Sequence, residues 1–223
     1  MRRYTGKETQ MYYQAGKEIK RIIDMLKIEN IEDSDIMDGT DHGELVSKIV
    51  MLLADKILKP DERTREVLNN AAVLHDVGKL KISQNIYGRG KTLQVEEARL
   101  MRTHAKLGAE MLATCEYPDD VVEAVLHHHE SYDGSGYPSN LIGEDIPYVS
   151  RVIKVCDAFA ALVSDRPYRR AYNMAAAKKM MIDDNKDYDL RILTYFLDLT
   201  NDPDFSGIMD FVDELNRKHG YCR

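Results

Sequence analysis

Cysteine is scarce in this chain. There are three, Cys115, Cys156 and Cys222, odd in number and far apart. That excludes a disulfide scaffold and fits a reducing compartment, so a cytoplasmic location is expected. Long apolar runs are also missing. Nothing approaches the ~20 consecutive apolar residues that a helix needs to cross a bilayer. The charged stretch from Met1 to Glu8 has no apolar core of the kind that marks a secretion signal. No membrane partner is therefore expected. Nor is there an excess of positive charge. The 31 Lys and Arg against 38 Asp and Glu leave a net charge of −7, which argues against a surface that coats a nucleic-acid polymer. A small anionic substrate stays open, because bound metal ions can dominate the field around a site. No internal repeat and no convincing pair of strands is present.

What is present is a chain of 223 residues, 43% of them hydrophobic, enough for one domain with a substantial core. Its apolar residues recur at helical spacing almost throughout. Helices are expected over about 9–26, 41–58, 63–75, 96–115, 119–129, 147–162, 171–181, 188–199 and 205–218. The fold class is all-α. The acidic run from Glu29 to Asp35 reads as a linker, which divides the chain into an N-terminal helix with its linker (1–37), a main helical domain (38–200) and a C-terminal helix (201–223). The apolar face of the N-terminal helix packs either on its own domain or on a second copy as a homodimer.

Polar residues interrupt the apolar faces at five places. His42 shares a face with Leu45 and Val46. His75 and Asp76 end one helix before Gly78. His104 lies on a face with Leu100 and Met111. His127, His128 and His129 close an apolar run just before a glycine-rich turn. Asp157 sits between Cys156 and Phe159. A lone histidine on such a face is usually a hydrogen-bonded core residue. Five such sites of matching chemistry point to a metal cluster instead. Imidazole and carboxylate without thiolate suit first-row divalent ions such as iron or manganese. Asp76, beside His75, is the natural carboxylate to bridge two ions. Ions about 3.5–4 Å apart can activate water and clamp a phosphoryl group.

Three motifs then point to a family. His75-Asp76-Val77-Gly78-Lys79 resembles the HD-x-G-K signature of the HD phosphohydrolase superfamily. The stretch from His128 to Pro138 resembles the complete HHExxDGxGYP signature of its HD-GYP branch. Asp157 to Arg169 is similar to that branch's next helix and its DRPYR motif. The resemblance runs from about residue 38 to 199. It implies an HD-domain helical bundle around a bi- or trinuclear metal site, and a phosphodiesterase that cleaves cyclic di-GMP to a linear dinucleotide, GMP or both. Carried over by position, His42, His75, Asp76 and Asp157 would hold one ion, and Asp76, His104, His128 and His129 a second. Asp38 stands where some members bind a third ion through a glutamate. Asp76 and Lys79 would be catalytic, with Lys79 on a phosphate or the leaving oxygen. Lys79, Tyr137, Arg166 and Arg169 would contact substrate, the arginines through their planar donor forks.

Two departures stand out. Ala160 replaces an aspartate found in many members, and Arg89-Gly90-Lys91 replaces a lysine-proline-glycine loop that borders the substrate in the family. Cyclic GMP-AMP or another nucleotide therefore remains an alternative substrate, and a non-catalytic cyclic-dinucleotide receptor is the rival outside enzymes. His127 is expected to be a bystander, because successive helical residues point about 100° apart. No sensory or receiver segment is recognisable, so regulation by a separate chain or by substrate level is expected.

Overall fold

The computed structural model describes residues 6–29, 31, 33–82, 94–166 and 169–219, without the side chains of 6–15, 33–35, 38 and 219. Among them all regular structure is helical, apart from one isolated bridge between Arg166 and Arg169. The α-helices are α1 (Gly6–Leu26), α2 (Asp33–Leu53), α3 (Glu62–Leu74), α4 (Val95–Arg102), α5 (His104–Thr114), α6 (Asp119–Leu126), α7 (Tyr148–Val163), α8 (Met174–Asp183), α9 (Leu190–Leu199) and α10 (Phe205–His219). No helix among the described residues is long and apolar enough to cross a membrane.

Helix α2 is the hub. It packs against α1, α3, α7, α9 and α10. Leu45, Val46, Ile49 and Leu53 recur at helical spacing and are fully buried. Each such side chain contributes about 1.5–3 kcal/mol by leaving water. On the far side, Phe159 of α7, Phe196 of α9 and Phe205 of α10 form a cluster with ring centroids 5.0–6.2 Å apart.

Two glycines bring the ligand-bearing elements together. A Cβ on Gly43 would lie 2.3 Å from the carbonyl oxygen of Val73, so α2 and α3 cross at backbone contact. That crossing puts His42 beside His75. A Cβ on Gly78 would lie 2.0 Å from the carbonyl oxygen of His104. The turn after α3 therefore sits against the start of α5, and only glycine fits.

Three elements differ from expectation. The acidic stretch is not wholly a linker: α2 already starts at Asp33, where acidic side chains favour the positive end of the helix dipole. The single helix expected over 96–115 is divided at Thr103. The Thr103 N–H and hydroxyl both donate to the carbonyl of Leu100, at 3.0 and 2.6 Å, which tightens the turn before His104. The expected helix over 119–129 stops at Leu126, and the three histidines lie in the turn that follows.

Candidate metal centre and substrate cavity

His75 caps the C-terminus of α3, His104 opens α5 after the Thr103 turn, and His128 follows α6. In all three rings Nδ1 donates to the carbonyl three residues earlier: His75 to Ala72 at 2.8 Å, His104 to Met101 at 2.7 Å and His128 to Val125 at 2.6 Å. A ring that carries its proton on Nδ1 has a bare lone pair on Nε2. Those Nε2 atoms point at one another. His104 Nε2 is 3.2 Å from His128 Nε2 and 3.1 Å from His129 Nε2. Neutral rings so oriented would hold lone pair against lone pair, and a cation between them removes the conflict.

Asp76 lies at the junction of two sets. With His104, His128 and His129 it forms one group that could hold a metal ion, and with His42 and His75 it forms another. Its Oδ1 is 3.3 Å from His104 Nε2 and its Oδ2 is 3.4 Å from His75 Nε2. Asp157 accepts a hydrogen bond from His42 Nε2 at 2.9 Å and approaches His75 Nε2 at 3.7 Å. Among the described residues, His75 Nε2 and Asp76 Oδ1 are buried without a hydrogen-bond partner. Unsatisfied buried atoms of this kind are costly, and a divalent ion would satisfy both. The donor set thus fits the metal cluster that the resemblance implies.

The electrostatics prepare the same chemistry. Burial is the largest influence on His42, His104, His128 and His129 and holds all four below the ordinary imidazole value, His129 at about 3. Rings held so would meet a metal ion in the neutral form, without a proton to shed. His75 is the exception: burial opposes its charge, but Asp76 and Asp157 carry it upward. Burial also opposes ionised Asp76 and Asp157. Lys79 with His75 outweighs it at Asp76, and His42 with His75 at Asp157, so both carboxyls sit well below their usual range.

Beside the cluster opens a cavity of about 420 Å³. Lys79, Arg166 and Arg169 give it positive charge. Lys79 Nζ also lies 2.5 Å from Asp76 Oδ2. The two arginines have different duties. Arg169 spends its guanidinium on the carbonyls of Ala161, Leu162 and Arg170 and lies 4.5 Å from the Tyr172 ring centroid, so it caps α7. Arg166 makes no side-chain hydrogen bond or ion pair among the described residues and faces the cavity. Tyr137 lies elsewhere: its ring stacks on His129 at 4.8 Å, with Arg102 5.2 Å from its centroid.

Asp38 lies on α2 one turn before His42, but its side chain is outside the described residues, as is the whole of 83–93, which carries Arg89-Gly90-Lys91. His127 is turned away from the cluster, 3.2 Å from Glu123 and 3.6 Å from Glu130. Ala160 is fully buried in the core. Three contributors had no role from sequence. The carboxylate of Glu130 accepts from the backbone of Ser139 and Leu141, at 2.6 and 3.2 Å, and holds the glycine-rich turn. Lys154 donates to the His129 carbonyl at 3.3 Å. Met180, Met181, Asp184 and Tyr188 form a further wall of the cavity. Glu130 was legible as a buried acid inside a turn motif; the α8 wall carries no local signal.

Residues 26–192 match the family model described as HD domain. The cyclic di-GMP phosphodiesterase PA4108 of Pseudomonas aeruginosa is 36% identical over 157 residues, 70% of this chain and 38% of that protein. The 3′3′-cGAMP-specific phosphodiesterase 3 of Vibrio cholerae is 34% identical over 140 residues, 63% of this chain and 30% of that protein. The chain thus spans well under half the length of these relatives. Among solved structures, Bd1817, a HDG"Y"P protein from Bdellovibrio bacteriovorus, superposes with a TM-score of 0.62 at 23% identity, over 87% of this chain and 64% of that one, which shows a shared fold.

Proposed function

Since the chain belongs to the HD domain family, we propose that it is a metal-dependent phosphodiesterase that hydrolyses cyclic di-GMP to a linear dinucleotide, GMP or both. The observation that carries this reading is the convergence of the His75, His104, His128 and His129 imidazoles on Asp76, beside a cavity that Arg166 lines with a guanidinium unpartnered among the described residues. The catalytic unit is 38–200, with 1–37, which includes the start of α2, and 201–223 as flanking segments. His42, His75, Asp76 and Asp157 hold one ion, and Asp76, His104, His128 and His129 another; Asp38 is the candidate for a third.

Bound iron or manganese would supply Lewis-acid activation of water and of the phosphoryl group. The chain's own residues do the rest. Arg166 offers its planar fork to the non-bridging oxygens of the phosphodiester. As the water oxygen bonds to phosphorus and the P–O3′ bond breaks, Lys79 stabilises the departing 3′-oxygen by a hydrogen bond, keeping its own protons, and the one proton released by the water ends on that oxygen. Tyr137 keeps His129 in place by stacking on it, and Arg169 holds the end of α7 as a wall. Asp76 stays ionised throughout, since Lys79 and His75 hold its pKa well below the usual carboxylate range.

A relative specific for cyclic GMP-AMP keeps that dinucleotide as the second reading. The test is metal analysis of anaerobically purified protein, followed by assay of the same sample on both dinucleotides. Two or more ions per chain with faster cleavage of cyclic di-GMP are expected. Metal-loaded protein that binds cyclic di-GMP without cleaving it would make the chain a receptor. The cytoplasm is the proposed location, with control by a separate chain or by substrate level.

A further inference from the structure

The cavity's α8 wall is at odds with a site that serves phosphate alone. Asp184 caps the C-terminus of α8 and lines the same cavity as Lys79 and Arg166. Its backbone N–H is bonded to the Met180 carbonyl at 3.0 Å, while its carboxylate makes no hydrogen bond or ion pair among the described residues. A bare carboxylate repels a phosphodiester. It strengthens binding only where the ligand brings hydrogen-bond donors to it. Next to this exposed carboxylate, half-buried Met180 presents a thioether, which packs well against an aromatic ring, while Met181 and Tyr188 lie buried behind it at the edge of the cavity.

We propose that Asp184 selects the nucleobase, its carboxylate accepting from N1–H and the N2 amino group of a guanine seated against Met180. The inference rests on the cyclic-dinucleotide reading above and adds the residue that chooses among such substrates. Guanine places two donors side by side, which match the two oxygens of a carboxylate. Adenine places one donor beside the N1 lone pair, so one carboxylate oxygen would face another acceptor. A site built for paired donors rejects a ligand that lacks them.

The test uses the metal-loaded full chain and the variants Asp184→Ala and Asp184→Asn. Turnover is measured on cyclic di-GMP, 3′3′-cyclic GMP-AMP, cyclic di-AMP and bis(p-nitrophenyl) phosphate, and binding of the three dinucleotides by calorimetry. The wild type should rank them in the order given. Asp184→Ala should raise KM for cyclic di-GMP at least tenfold and lower its kcat/KM relative to the base-free diester by the same factor. Asp184→Asn offers one donor and one acceptor, the pattern that suits adenine, and should narrow the preference for cyclic di-GMP over cyclic di-AMP at least tenfold. If both variants keep the wild-type ratios, the role of Asp184 is overturned while the phosphodiesterase reading stands. If the wild type neither binds nor cleaves any cyclic dinucleotide, both fall together.

Discussion

The two sides of the cavity are built in opposite ways. On the metal side four of the five histidines have an anchor behind them: backbone carbonyls for His75, His104 and His128, and the Tyr137 ring for His129. Those rings come from α3, α5 and the turn after α6, elements pressed together at Gly78. On the side proposed to take the nucleotide, Arg166 is half-exposed and Asp184 exposed, and neither has a side-chain partner among the described residues. The metal side is thus ordered before any ligand arrives, which is what a ligand cage needs. The nucleotide side leaves its donors and acceptors open for substrate. Losses on the metal side should therefore abolish chemistry, and losses on the nucleotide side should alter affinity and selectivity.

The largest break in that contrast comes from Asp76→Ala. It removes the carboxylate common to both ligand groups. Metal content should drop by at least one ion per chain, and kcat should fall on the order of 10³-fold; elemental analysis and initial rates check both. Next comes Gly78→Ala. Its methyl group would press on the His104 carbonyl, so we expect a loss of about 1–3 kcal/mol in urea unfolding, the usual cost of overpacking, together with reduced metal retention. A full complement of ions at unchanged stability would show that the close approach is dispensable.

On the nucleotide side, Arg166→Ala should raise KM about 10-fold with metal content intact, in keeping with a charge-assisted hydrogen bond worth about 1.5–3 kcal/mol. Arg169→Ala should instead lower the thermal midpoint, because its guanidinium binds the last carbonyls of α7. Equal kinetic effects from the two would erase the division of labour between them.

The smallest effect is in the pH dependence of the metal-free protein. Burial holds His129 at about 3, against an unfolded value near 6.5. Between these values the unfolded chain binds the extra proton, so folding stability falls as pH drops below about 6.5. Glu44 has the opposite sign. Burial raises it from 4.5 to about 7, so its contribution is lost as pH rises through that range. Asp76 and Asp157 lose theirs only as pH falls below the ordinary carboxylate value of 3.8. In urea titrations between pH 6.5 and 5, His129→Gln should flatten the acid loss, and Glu44→Gln should steepen it.

The contrast also explains what could be read from the chain. His75-Asp76 and His128-His129 are contiguous, flanked by a glycine and a glycine-rich turn, so their chemistry shows in one dimension. His42, His104 and Asp157 show because each interrupts an apolar face. The bend at Thr103 does not show, since helix-compatible residues run straight through it and the break lies in one hydroxyl and one N–H turning to Leu100. Nor does the end of α6 ahead of His127, because no glycine or proline marks it. Arg169 reads like Arg166 until its bonds to Ala161 and Leu162 are seen. Asp184 and Met180 belong to an ordinary amphipathic helix, and only the packing of α8 on α7 brings them to the cavity.

The most direct measurement is an anaerobic manganese titration of metal-free protein, wild type against His128→Ala and His127→Ala. Two or more ions per wild-type chain are expected, at least one fewer in His128→Ala, and the wild-type number in His127→Ala, whose ring faces Glu123 and Glu130. Fewer than one ion per wild-type chain, or the same number in His128→Ala as in the wild type, would contradict the metal centre.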